Sequence, residues 1–129
     1  MKKNIFTNKT VLLTGHTGFK GAWLAIWLKE LGAKVIGYST DPPTELSLFE
    51  QAGLNEKLTA DIRGDVRDSS RLQDVVAQYA PQIIFHLAAQ PIVLTSYQAP
   101  QETFASNAMG TVNLLEAVRL VPATVSCGA

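Results

Sequence analysis

A short apolar run leads into a turn with three evenly spaced glycines, and a second apolar segment follows at once. The run is Thr10-Val11-Leu12-Leu13-Thr14, and the glycines are Gly15, Gly18 and Gly21. An uninterrupted run of this kind is typical of a strand buried on both faces of a parallel sheet. Glycines at such a turn permit a tight bend, close approach to a ligand and close helix–strand packing. The segment therefore predicts a strand, a glycine-rich turn and a helix.

The rest of the chain alternates strand-like and helix-like segments. Such alternation predicts βαβ units, and so an α/β fold with a Rossmann-like, doubly wound parallel sheet. We predict strands at 10–14, 34–38, 58–62 and 82–87, a weak fifth strand at 124–126, and helices at 18–31, 46–52, from the N-cap Asp68 to Tyr79, and 101–120. In the first helix we assign Trp23 and Trp27 to the core. Because complete sheets of this class have about six strands or more, we expect residues 1–129 to form an incomplete, truncated Rossmann-like domain.

Composition excludes several classes of protein. The 129 residues include 11 basic and 11 acidic side chains, so the net charge is zero and no basic surface for nucleic acid is predicted. The longest apolar run, Gly21 to Leu28, is far below the roughly 20 residues of a membrane span. No apolar segment follows the two N-terminal lysines, and Cys127 is the single cysteine, which fits a reducing compartment. We expect a cytoplasmic domain without membrane or nucleic-acid partners.

The glycine turn is the main candidate binding site. A helix N-terminus directly after the turn carries N–H groups and partial positive charge suited to a pyrophosphate. The alternative is a purely structural strand–helix turn. We expect His16 to make a local hydrogen bond rather than to act as a base. The residues assigned to cofactor binding here are Gly15, His16, Thr17, Gly18, Phe19, Lys20 and Gly21.

Three further segments follow predicted strands. Asp65, with Val66, follows the third strand and is suited to the amino group of adenine, although such an acid is often a turn or capping residue. Small residues after the fourth strand would let a cofactor approach the backbone, although ordinary tight packing explains them equally; this segment is Leu87, Ala88, Ala89 and Gln90. After the second strand, Asp41 is the candidate for the ribose hydroxyls, or it only begins the following Pro-Pro turn. No arginine is near in sequence, which favours NAD over NADP.

Other chemistry is not indicated. His86 lies in an apolar strand and is expected to be a hydrogen-bonded core residue. No spacing of His, Cys, Asp and Glu predicts a metal site, and we assign no catalytic residue.

Several motifs together resemble a known enzyme group. Residues 14–21 match T-G-x-x-G-x-x-G, the signature of the extended short-chain dehydrogenase/reductase superfamily. Lys20, where related enzymes usually carry isoleucine, makes the run similar to the family of CDP-glucose 4,6-dehydratases. Further matching segments are 37–38, 41–44, 47–50, 64–68, 85–91, 107–111 and 114–117. The resemblance covers residues 9 to about 119 and corresponds to the N-terminal part of these enzymes.

The resemblance implies an NAD-dependent nucleotide-sugar lyase. These enzymes convert CDP-glucose to CDP-4-keto-6-deoxyglucose, a step towards the dideoxysugars of bacterial O-antigen. The resemblance adds Asn107 to the residues near the cofactor and implies a homodimer contact through the helix at 101–120. The family also uses a Tyr-x-x-x-Lys pair, which this sequence lacks, a C-terminal sugar-nucleotide-binding part, and an arginine where Leu94 stands.

We therefore expect a chain that carries the NAD-binding part and is inactive alone. Because the resemblance stops near residue 120, a prematurely ended reading frame is one hypothesis, and self-association through unpaired surfaces is expected. The alternatives are a stand-alone dinucleotide-binding module without catalysis and a fragment of another nucleotide-sugar epimerase or reductase.

Overall fold

A parallel sheet of four strands is the centre of the molecule in a computed structural model, which describes residues 4–42, 47–88, 97–101 and 105–120. The strands are β1 Thr10–Thr14, β2 Lys34–Ser39, β3 Ala60–Arg63 and β4 Ile83–His86. Their order is β3-β2-β1-β4, and every neighbouring pair is parallel. This is the start of the Rossmann strand order, so the predicted incomplete Rossmann-like α/β fold is confirmed. The fifth strand predicted at 124–126 lies outside the described residues.

Helices connect the strands and cover both faces of the sheet. They are α1 Phe19–Glu30, α2 Leu48–Gln51, α3 Leu54–Lys57, α4 Ser69–Tyr79 and α5 Gly110–Leu120, which a π-helical segment, Ala105–Met109, precedes. Asp68 caps α4 as predicted, since its Oδ1 accepts from the Arg71 N–H at 3.1 Å. The helix predicted at 46–52 corresponds to α2, whereas α3, which begins after Gly53 with its left-handed φ of +63°, has no counterpart among the predicted helices. None of the described helices is long and apolar enough to cross a bilayer.

Two apolar layers sandwich the sheet. One contains Leu12 and Ile84 with side chains of α4 and α5, and the other contains Val11 and Leu13 with side chains of α1, α2 and α3. Successive residues of β1 point to opposite layers, and each layer is apolar, which explains the uninterrupted apolar run in the sequence.

The buried side of α1 consists mainly of small residues. Gly21, Ala22 and Ala25 face the sheet together with Leu28. A Cβ at Gly21 would lie 2.0 Å from the Gly15 carbonyl oxygen, so the helix begins in direct backbone contact with the turn. The prediction that Trp23 and Trp27 belong to the core is wrong, because their side chains are 54% and 65% exposed. Such close packing leaves no space for an indole ring between α1 and the sheet.

Candidate functional site

The turn between β1 and α1 brings the ends of three strands together. The Gly15 N–H donates to the Tyr38 carbonyl of β2 at 3.0 Å, and Gly15 has a left-handed φ of +79°. A Cβ at Gly15 would lie 2.7 Å from the Leu87 carbonyl carbon just after β4. The fold itself therefore requires glycine at position 15, as it does at position 21.

Gly18 differs from these two glycines. Its φ of −77° suits any residue, and a Cβ would meet only the Gly15 carbonyl oxygen, at an ordinary 3.5 Å. Gly18 is the N-cap of α1, no side chain caps the helix there, and its first turn carries no acidic residue. The backbone N–H groups of this turn are therefore left for an acceptor outside the helix. The open space at Gly18 fits an anionic group such as a pyrophosphate lying against the helix N-terminus.

His16 points inward from the turn. Its ring is fully buried, its Nε2 lies 2.6 Å from the Asp61 Oδ1, and its edge packs against Phe49 at a centroid distance of 5.3 Å. The ring also lies where a Cβ of Gly37 would be, 2.4 Å from its nearest atom. Burial lowers the pKa of His16 below its usual 6.5, although Asp61 opposes that shift. The expected local hydrogen bond within the turn is wrong, because the hydrogen-bond partner of His16 comes from β3.

Thr17 joins the turn to the end of β2. Its hydroxyl donates to the Thr40 carbonyl at 3.0 Å, so the Ser39 hydroxyl, at 2.9 Å, donates to Thr17. Thr17 and Ser39 are both buried. Their hydroxyls are used inside the protein and hold the turn against the strand.

An arginine lies at the end of β2, contrary to the sequence prediction. The Arg63 guanidinium donates to the Thr40 carbonyl at 3.3 Å and to the Asp61 Oδ2 at 3.2 Å, and its Nε lies 3.9 Å from the Asp41 Oδ1. The expectation that no arginine is near Asp41 is therefore wrong. The parallel register of β2 and β3 pairs Ser39 with Arg63, which brings these distant positions together.

The ribose candidate Asp41 is exposed to solvent. Its side chain is 90% exposed, and it stands at the edge where β2 ends. The Asp41 carboxylate and the Arg63 guanidinium thus occupy the same edge of the sheet.

The segment after β3 is held by a buried tyrosine. The Tyr38 hydroxyl donates to the Asp65 carbonyl at 2.7 Å, and burial raises the pKa of Tyr38 to about 12. The Asp65 carboxylate accepts from the Arg67 N–H at 2.9 Å and from its guanidinium at 2.6 Å, and these bonds lower the pKa of Asp65. Val66 is buried, and its carbonyl accepts from the Asn113 amide at 3.0 Å. The proposed adenine contact of Asp65 would have to share a carboxylate already paired with Arg67, a partner the sequence analysis missed.

The chain after β4 is fixed through Thr14. The N–H groups of Leu87 and Ala88 donate to the Thr14 hydroxyl oxygen at 3.1 and 3.2 Å. Leu87 also donates to the Thr14 carbonyl at 3.1 Å. These bonds place Leu87 and Ala88 directly beside Gly15, at the same edge as Gly18.

His86 extends this hydrogen-bond network from Thr14 towards Thr111, next to the start of α5. Since the Thr14 oxygen accepts two N–H groups, its proton is assigned to His86 Nδ1 at 2.7 Å. The ring is then neutral and its Nε2 donates to the Thr111 hydroxyl at 3.2 Å, which donates to the Asn107 carbonyl at 2.9 Å. Burial lowers the pKa of His86, in agreement with a neutral ring. The prediction of a hydrogen-bonded core histidine is confirmed.

The remaining predicted residues lie elsewhere. Phe19 and Lys20 are exposed and lie beside Trp23, on the side of α1 opposite the sheet. Asn107 is exposed in the π-helical segment, and its carbonyl accepts from the Thr111 hydroxyl. Ala89 and Gln90 lie outside the described residues. Where the structure describes the chain, no three His, Cys, Asp or Glu side chains meet as possible metal ligands.

The fold and the site define a class of protein. A Rossmann-like sheet with a glycine turn, a free helix N-terminus and strand ends at one edge is the architecture of nucleotide-binding α/β domains. The sequence profile of the GDP-mannose 4,6 dehydratase family matches residues 12–127, and the chain belongs to this family.

Two curated relatives give the degree of similarity. The CDP-glucose 4,6-dehydratase of Salmonella typhimurium is 52% identical over 119 residues, which are 92% of this chain and 33% of that protein. The GDP-mannose 4,6-dehydratase of Vibrio cholerae serotype O1 is 35% identical over 128 residues, covering 90% of this chain and 32% of that protein. The chain therefore spans about a third of the length of these relatives.

Solved structures agree with the fold. The UDP-glucose 4-epimerase of Stenotrophomonas maltophila, solved with bound NAD, superposes with a TM-score of 0.80 at 24% identity, over 94% of this chain and 36% of that one. The UDP-glucose 4-epimerase of Brucella ovis, in complex with NAD, superposes with a TM-score of 0.74 at 28% identity, over 92% of this chain and 35% of that one.

Proposed function

We propose that the chain binds NAD at the carboxyl edge of its sheet and forms the cofactor-binding part of a nucleotide-sugar 4,6-dehydratase. The observation that carries this proposal is Gly18. Nothing within the fold requires a glycine there, and its missing side chain leaves space in front of the free N–H groups of α1. A pyrophosphate against those groups explains the glycine.

Each part of the cofactor has a candidate contact. The pyrophosphate would lie at Gly18, the adenosine ribose near Asp41, and the adenine beside Asp65 and Val66. Leu87 and Ala88 would border the path to the nicotinamide, since they lie beside Gly15. When bound, NAD supplies a reversible hydride acceptor. The chain's own residues bind and orient it.

The proposed substrate is CDP-glucose. Its support is the 52% identity to the Salmonella typhimurium CDP-glucose 4,6-dehydratase. Acid–base catalysis needs a group of suitable pKa within hydrogen-bond reach of the substrate, and the Tyr-x-x-x-Lys pair of the family is absent from these 129 residues. We therefore propose that the chain binds the cofactor without turnover on its own, in the cytoplasm, where NAD and nucleotide sugars are available.

Calorimetric titration of NAD into the 129-residue chain tests cofactor binding. We expect micromolar affinity, and we expect Gly18→Ala to weaken it at least tenfold, since a methyl group would occupy the space of the pyrophosphate. Gly53→Asn is the matched control, because Gly53 has open space around it and asparagine tolerates its left-handed φ of +63°. Absence of heat with a folded wild-type chain would refute the proposal.

A chimera tests the assignment to a dehydratase. The chain would replace the homologous third of the Salmonella typhimurium enzyme, and formation of the 4-keto-6-deoxy product from CDP-glucose would be followed. Turnover is expected, and Gly18→Ala in the chimera is expected to lower it at NAD concentrations below saturation. A folded chimera that binds NAD but leaves CDP-glucose unchanged would instead favour a binding module without catalysis.

A further inference from the structure

The outer face of α1 carries large aromatic side chains that the described part of the chain leaves uncovered. Phe19, Trp23 and Trp27 are 70%, 54% and 65% exposed, and Phe19 packs edge-on against Trp23 at a centroid distance of 6.5 Å. Tryptophan is the side chain most often found at the energetic centre of protein interfaces. Adjacent exposed aromatic rings of this kind form a candidate interaction surface.

Charges stand at the two ends of this aromatic face. Lys20 lies at its N-terminal end and Glu30 at its C-terminal end, and both border the same apolar depression as the two tryptophans. The ten-residue interval corresponds to about 15 Å along a helix. The positions are symmetric about residue 25, since 20 and 30 are equally distant from it, and so are 23 and 27.

A surface with this symmetry is complementary to itself. In a two-fold symmetric contact, residue i meets residue j and residue j meets residue i. When two copies of α1 lie antiparallel and cross at residue 25, Lys20 meets Glu30 of the partner subunit, and Trp23 meets Trp27 of the partner subunit. A parallel arrangement would instead place like charges opposite each other.

We propose that the outer face of α1 is an antiparallel, two-fold symmetric interface with a second copy of this chain. The aromatic rings supply most of the binding free energy, and the two Lys–Glu pairs fix the orientation, since charges at the rim of an interface contribute mainly to specificity. This face lies across the sheet from α5, because α1 and α5 pack on opposite apolar layers. It is therefore separate from the dimer contact that the family resemblance implies for the helix at 101–120.

The proposal does not rest on NAD binding, and charge reversal tests it. The dimer dissociation constant would be measured by sedimentation without NAD. Lys20→Glu and Glu30→Lys each place two like-charge pairs in the interface, and each is expected to raise the constant about tenfold. An equimolar mixture of these two variants restores both opposite-charge pairs and is expected to form heterodimers with wild-type affinity.

Matched variants complete this experiment. Lys57→Glu reverses an exposed charge on α3 and is expected to leave the dissociation constant unchanged. Trp27→Ala is expected to raise it more than either charge reversal does. A monomeric wild-type chain, or association that both charge reversals leave unchanged, would overturn the proposal.

Cross-linking gives an independent measurement that remains informative when the chain also associates through other surfaces. In a Cys127→Ser background, a Lys20→Cys chain mixed with a Glu30→Cys chain is expected to form a disulfide heterodimer. Either chain alone is expected to cross-link poorly, because equivalent positions lie about 15 Å apart in an antiparallel pair. Efficient cross-linking of the Lys20→Cys chain with itself would contradict the antiparallel arrangement.

Discussion

Nε2 of His16 lies 2.6 Å from Oδ1 of Asp61, and this contact joins the glycine turn to the third strand. The same carboxylate accepts from the Arg63 guanidinium through its other oxygen, at 3.2 Å. One aspartate thus connects the interior of the turn with the arginine that lies beside the end of β2. The position of the turn depends on β3 although the two are far apart in sequence.

Replacing this carboxylate should destabilise the fold. Asp61→Ala leaves the buried His16 N–H without its acceptor, and an unpaired buried donor costs about 2 kcal/mol. We expect the free energy of unfolding in urea to fall by about this amount. Asp74→Ala, on the exposed side of α4, is the control and should change it little. Equal effects of the two variants would contradict a stabilising role for the contact.

Stability should decrease below neutral pH. Burial lowers the pKa of both His16 and His86 below the usual 6.5. The unfolded chain therefore binds protons on these rings at a higher pH than the folded chain does. Their contribution to stability is complete above about pH 6.5 and is lost as pH falls towards the folded pKa values. Unfolding free energies measured from about pH 8 to pH 5 should show this decline.

The matched variant for this pH dependence is His86→Gln, whose amide can accept from Thr14 and donate to Thr111. It should show a smaller decrease in stability over the same pH range, since one titrating ring is removed. A wild-type profile without a slope between pH 6.5 and pH 5 would be inconsistent with the lowered pKa values.

Two glycines of the turn should respond differently to the same substitution. At Gly21 an added Cβ would lie 2.0 Å from the Gly15 carbonyl oxygen, whereas at Gly18 the nearest atom would be 3.5 Å away. Gly21→Ala forces α1 away from the strand and should cost about 3 kcal/mol. Gly18→Ala should cost less than about 1 kcal/mol. Thermal unfolding followed by circular dichroism distinguishes them, and similar melting temperatures would be the contrary result.

The charges at the end of β2 should determine cofactor choice. Asp41→Ser removes the carboxylate 3.9 Å from the Arg63 Nε and leaves the guanidinium to bind a 2′-phosphate. We expect the ratio of NADP to NAD affinity, measured by calorimetry, to rise about tenfold. Adding Arg63→Ala to this variant should cancel the gain. An unchanged ratio in Asp41→Ser would place the ribose elsewhere.

Much of the fold could be predicted because the signals were local. β1 with its glycine turn, β4 as an apolar run, and α4 with its Asp68 cap each depend on residues close together in sequence. The burial of α1 could not be predicted in the same way, since apolar residues are distributed around most of this helix. Its small side chains face the sheet because Gly15 and Gly21 bring the backbone of α1 into contact with the backbone of the turn. This contact forms only in the folded protein, and the pattern of apolar residues along the sequence does not predict it.

In the candidate site, too, features that depend on neighbouring residues could be predicted, whereas contacts between distant residues could not. The glycine positions followed from spacing, whereas Arg63 reaches the end of β2 only through the parallel register that pairs it with Ser39. The pairing of Asp65 with Arg67 was missed for another reason. Both residues lie in one short turn, and a carboxylate two residues before an arginine predicts no particular geometry. The five π-helical residues before α5 likewise leave no simple trace in composition.

The directional chain through His86 limits what evolution can place at this position. A replacement must accept a hydrogen bond towards β1 and donate one towards α5 from opposite ends of a single side chain. Apolar residues of equal volume satisfy neither end, and a lysine can only donate. The side chain at position 86 is therefore constrained by the direction of its two hydrogen bonds as much as by its size.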